Sequence, residues 1–112
     1  VQPALETPVT ADRGPVMIQI EYQVAPEDRP AFLAEIKNLS LTRRRDGAYA
    51  WGIAEHSHDA TTLIEWFLVE SWHEHLRQHQ RVSHADADLQ SSVTRFHQGE
   101  EKPLVRHFIS LG

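Results

Sequence analysis

No cysteine occurs anywhere in this chain, which removes disulfides, thiolate metal centres and cysteine nucleophiles together. An excess of basic residues is missing too. Against 16 aspartates and glutamates stand only 11 lysines and arginines, for a formal net charge of −5, so there is no basic footprint for nucleic acid. No apolar run approaches the roughly 18 residues of a membrane-spanning helix, and no signal-peptide core is visible. The patterns GxSxG, GxxxxGK and GxGxxG are absent, as are paired-carboxylate motifs, so none of the usual nucleophile elbows or phosphate cradles can be assigned. Cofactor-free oxygen chemistry needs no such motif.

Histidine is what the chain has in quantity, 8 in 112 residues. The net charge would be cancelled as pH falls below about 6.5, where imidazoles gain protons. Four of the eight fall in "SWHEHLRQHQRVSHADADL", residues 71–89. On a helix His75 and His79 share one face a turn apart, a spacing at which two imidazoles can meet one ion. A stable metal site needs a third and usually a fourth ligand, and none is assured here. The expectation is therefore no metal and no cofactor, with His75 or His79 packed beside Trp72 and Leu76.

The length is that of one domain. Residues 1–15 carry three prolines and no period and read as a linker or extended arm; residues 16–112 read as a single folded unit. The chain opens on Val1 and is expected to be a fragment of something longer, soluble as it stands. In "VMIQIEYQV" (16–24), Val16, Ile18, Ile20, Tyr22 and Val24 share one strand face. A helix follows, with Pro26 at its start and Phe32, Ile36 and Leu39 at i, i+4, i+7. Arg43, Arg44 and Arg45 complement its negative end, and Gly47 suits a left-handed stop. Strands are expected over 48–57 and 63–71, with "HDATT" as the turn between them. Ser71 with Glu74, and Ser83 with Asp86, look like two capping boxes and predict a helix broken near Val82. The second piece carries Leu89, Val93 and Phe96 and ends at Gly99; "LVRHFISL" (104–111) is the last strand.

The order is β-α-β-β-α-β, an α+β ferredoxin-like plan with a four-stranded antiparallel sheet and both helices on one face. Residues 63–71 are apolar on both sides, with Leu63, Phe67 and Val69 opposite Ile64, Trp66 and Leu68. A sheet with one wet face should alternate cleanly instead. The expected cover for the second face is a second copy of the chain, giving a homodimer. His107 shares a strand face with Val105 and Ile109. It is expected to point either into the space between sheet and helices or into the dimer interior beside Gln19 and Glu21, near Trp66 or Trp51. Trp51, Trp66, Trp72, His75, His79 and His107 are the expected lining of a small-ligand pocket, with no catalytic residue assigned.

"GPVMIQIEYQV", "RRRDGAYAWG", "WFLVESWHEHLRQHQRVSHAD" and "VRHFISL" resemble the soluble C-terminal domain of one group of major facilitator superfamily permeases, the transmembrane secretion effector or enterobactin-exporter-like transporters. That domain in turn looks like the antibiotic biosynthesis monooxygenase-like fold, a dimeric α+β barrel. The resemblance implies a connector from a membrane helix at residues 1–15, a place on the cytoplasmic side of the inner membrane, and the transmembrane portion of the same polypeptide as partner. It carries no catalytic residue over, and His73 and His84 depart from the family's pattern. The first functional expectation is a dimerisation or regulatory domain of a transporter, with a small-molecule ligand. The alternative is a monooxygenase-like enzyme acting on an aromatic or polyketide-like substrate.

Overall fold

The computed structural model describes residues 13–80 and 84–111, the side chains of 78–80 excepted. Most of the expected arm and Ser83 of the second capping box lie outside them. Strand β1 runs Val16–Gln23, β2 Ala50–His56, β3 Asp59–Val69 and β4 Leu104–Ile109. Helix α1 spans Arg29–Arg45, α2 Trp72–Gln80 and α3 His84–Thr94. The strands form one antiparallel sheet in the order β2-β3-β1-β4. The fold is the ferredoxin-like α+β plan.

The alternation in β1 becomes strict burial: Val16, Ile18, Ile20 and Tyr22 are buried and their neighbours half-buried. They meet Phe32, Ile36 and Leu39 of α1 and Val93 and Phe96 around α3 in one core. Each such side chain stabilises the fold by about 1.5–3 kcal/mol relative to exposure. Pro26 opens a short 3-10 turn, Pro26–Asp28, ahead of α1. Gly47 has φ 116° just past α1, a left-handed stop that costs glycine nothing.

Several boundaries differ from expectation, most clearly at the β2–β3 turn and at the end of α3. The β2–β3 turn is only Ser57-His58, because Thr61 and Thr62, β-branched and suited to a pleated surface, continue β3 back to Asp59. Helix α3 ends at Thr94, five residues before Gly99. At the start of α2 the Ser71 hydroxyl accepts the Glu74 N–H at 3.1 Å, but the Glu74 carboxylate turns to Arg77. Half of the capping box is formed.

Residues 13–15 are seated against the domain. The Arg13 carbonyl accepts the Trp72 N–H and the Pro15 carbonyl accepts the Ser110 N–H, both at 2.8 Å. Gly14 lies so near Glu70 that a β-carbon would stand 2.1 Å from its carbonyl oxygen.

The registers sort the other sheet face. Met17, Gln19 and Glu21 of β1 lie beside Leu68, Trp66 and Ile64 of β3 and beside Phe108, Arg106 and Leu104 of β4. Among the described residues no helix covers this side. Leu104 is 48% exposed and Phe108 45%. The three polar members are partly self-satisfied, since Arg106 reaches Glu21 at 3.4 Å.

Candidate functional site

On the helix side the apolar run of β3 is interrupted by a carboxylate. Glu65 stands between Leu63 and Phe67 on the inward face, opposite Ile20 of β1 and Ile53 of β2, and is fully buried. An unpaired charge there would be prohibitive. Four donors converge on its two oxygens. Arg43, in the last turn of α1, gives Oε2 its Nε–H at 3.0 Å and Oε1 an NH2 hydrogen at 3.1 Å. Trp51 of β2 donates its indole N–H to Oε2 at 2.9 Å. The Tyr22 hydroxyl of β1 donates to Oε1 at 3.2 Å. The guanidinium also stacks 4.7 Å over the Phe67 ring. Three strands and one helix are tied at this point.

The electrostatics follow. Burial, then the adjacent Glu65 charge, pushes the Tyr22 phenol well above its ordinary range, so it stays a donor. Burial disfavours the Arg43 cation, but the Glu65 charge and hydrogen bonds more than offset that, and Arg43 is held charged. Neither Tyr22 nor Arg43 is poised to shed a proton near neutrality.

The arginine run divides its work. Arg43 turns in to Glu65, Arg45 reaches across to Asp86 on α3 at 2.5 Å, and Arg44 stays exposed. Two of the three are therefore structural clamps as well as complements to the helix dipole.

A second cluster lies at the other edge of the sheet. His75 of α2, 4% exposed, has its ring centroid 5.4 Å from Trp72 and 4.9 Å from His107 of β4, and Trp72 is 5.7 Å from His107. His107 lies opposite Ile18, so it points to the helix side. Gln19 and Glu21 occupy the other face, so of the two placements expected for His107 the space between sheet and helices is the one found. Glu65 and His107 sit two strands and one inward row apart, roughly 12 Å from the strand spacing and rise.

The six expected pocket residues are thus not one site. Trp72, His75 and His107 come together. Trp51 belongs to the Glu65 network at the far side of the sheet. Trp66 is on the opposite face, across from Gln19. The side chain of His79 lies outside the described residues. Among the described residues no three histidine or carboxylate side chains converge as a metal site would require. Glu65 was missed by the sequence reading, although its position was a signal: a lone carboxylate at the i+2 step between Leu63 and Phe67 demands a buried cation.

Comparison with known proteins gives the arrangement a context. The crystal structure of a conserved protein from Methanosarcina mazei Go1 superposes with a TM-score of 0.71 at 12% identity, covering 88% of this chain and 95% of that one. A candidate antibiotic biosynthesis monooxygenase from Caulobacter crescentus CB15 gives 0.72 at 10% identity, covering 91% and 94%. Another from Bordetella bronchiseptica gives 0.70 at 16%, covering 88% and 99%. At such identities the likeness is one of fold. No curated protein sequence matches the chain. Residues 1–112 match the family described as transmembrane secretion effector, while no described helix is long and apolar enough to cross a membrane. With its whole length matched, this chain belongs to the transmembrane secretion effector family.

Proposed function

We propose that the chain is a non-catalytic accessory domain of a transmembrane secretion effector that pairs with a second copy through its helix-free sheet face. The observation that carries this reading is that face itself. Met17, Ile64, Trp66, Leu68, Leu104 and Phe108 lie together on it, where a solvated antiparallel sheet face is ordinarily polar. A two-fold related copy offers the same surface in return. On this reading the domain lies on the cytoplasmic side, beside the transmembrane portion of the same polypeptide. Light scattering of the eluting chain at micromolar concentration is expected to give twice the monomer mass, and Phe108→Asp or Leu68→Asp to give the monomer. A monomeric parent chain would refute the reading.

A second reading, a small monooxygenase-like enzyme for aromatic or polyketide-like substrates, draws support from the descriptions of the Caulobacter and Bordetella neighbours. Against it, the phenol, indole, guanidinium and carboxylate on the helix side are bonded to one another. Oxygen uptake above the buffer blank with a hydroquinone-type aromatic, abolished by Trp51→Phe, would favour the enzyme.

A further inference from the structure

The outer surface of α1 carries a short basic stripe on an otherwise acidic chain. At 100° per residue, Phe32, Ile36 and Leu39 face the sheet, while Lys37, Leu41 and Arg44 follow one another at i, i+4, i+7 along the opposite side. All three are exposed, Leu41 at 68%. Neither Lys37 nor Arg44 forms an ion pair among the described residues. The one carboxylate on the helix, Glu35, lies about 120° around the axis from Leu41. Arg45 borders the stripe but is held by Asp86 and Asp46. A chain of net charge −5 therefore keeps in line two cations that no described carboxylate neutralises, one turn either side of a bare leucine.

An exposed leucine alone is ordinary. Flanked by these two cations it has the chemistry of an interfacial helix face, where basic heads meet phosphate or carboxylate headgroups and the aliphatic side chain reaches the acyl boundary. We propose that the Lys37–Leu41–Arg44 stripe is a docking face for an anionic lipid bilayer. The proposal rests on family membership for the nearness of a membrane and on charge complementarity for the choice of occupant. It is independent of self-association, because α1 belongs to the helix layer and leaves the open sheet face untouched. Each basic residue near an anionic surface raises partition about fivefold, so the two together give roughly 25-fold over neutral lipid. The attraction falls off within a Debye length of about 8 Å at physiological salt. For a domain already tethered beside the bilayer, that is enough to fix its orientation.

The test is co-sedimentation of the chain with vesicles of phosphatidylcholine, alone or mixed in equal parts with phosphatidylserine. The expected result is partition onto the mixed vesicles only, weakened by added salt. Lys37→Glu with Arg44→Glu should return it to the neutral-lipid level, and Leu41→Ser should lower it several-fold; both change exposed positions, and circular dichroism verifies that the fold is kept. Equal binding to neutral vesicles, or binding untouched by the charge reversal, would overturn the proposal. So would retention on immobilised poly-glutamate without partition onto the mixed vesicles, which would assign the stripe to an acidic protein segment. Phe108→Asp should leave vesicle binding in place, so failure here and failure of the dimer are read separately.

Discussion

Trp66 lies across Gly52 on the open sheet face, so close that a β-carbon at Gly52 would stand 2.5 Å from the indole Cε2, Cζ2 and Nε1. The two are directly paired across β2 and β3. A hydrogen in place of a side chain is what lets the largest aromatic of this face lie flat.

Gly52→Ala is expected to move the indole rather than unfold the chain. The obstructing atoms belong to a half-buried side chain that can swing outward, so the cost should stay near 1–2 kcal/mol, in the range of an ordinary single substitution. In fluorotryptophan-labelled chain, one of the three indole resonances should shift while two keep their positions. If copies pair through this face as proposed, light scattering should show the pairing weakened. Three shifted resonances would mean that the distortion reaches the core.

Glu65→Ala should be among the most damaging single changes. It strands the Arg43 guanidinium beside the Trp51 and Tyr22 donors, and breaking a buried ion pair from one side costs about 3–5 kcal/mol. Replacing both partners, Arg43→Met with Glu65→Leu, should recover part of that loss, because no buried charge is left over. Recovery stays incomplete while Trp51 and Tyr22 lack an acceptor. Urea unfolding of the two variants measures the difference, and equal losses would show that the ion pair is not what matters.

Tyr22 gives stability a pH dependence at the alkaline end. Its folded pKa is raised above the ordinary value of 10.0 by burial and by the Glu65 charge. The stabilisation tied to this proton is therefore fully present below pH 10 and declines above it, as the unfolded chain releases the proton and the folded chain keeps it. In a Tyr49→Phe background, phenolate absorbance at alkaline pH should appear only together with loss of the folded circular dichroism signal. Adding Tyr22→Phe should remove the corresponding slope of stability against pH.

Much of the architecture was readable in local pattern. The alternation Val16, Ile18, Ile20, Tyr22 and the helical spacing Phe32, Ile36, Leu39 each name a buried face without outside help, and all seven are buried. The position after α1 where glycine stops the helix was equally plain. What failed depends on partners distant in sequence. Arg43 and Glu65 are 22 residues apart, and nothing local distinguishes an arginine completing a helix dipole from one turned into the core. Likewise the side toward which His107 points is set by the β1–β4 register, and a one-residue slip would have reversed it. Trp51 and Trp66, both in apolar strands, fell on opposite faces for the same reason.

The carbonyls of Arg13 and Pro15 hold the first residue of α2 and the residue just past β4, the same two elements that bring Trp72, His75 and His107 together. Tension applied to the polypeptide at Arg13 is consequently shared between both sides of that aromatic contact, as a buckle divides the load between two straps. The segment 13–15 is mechanically linked to the contact among Trp72, His75 and His107.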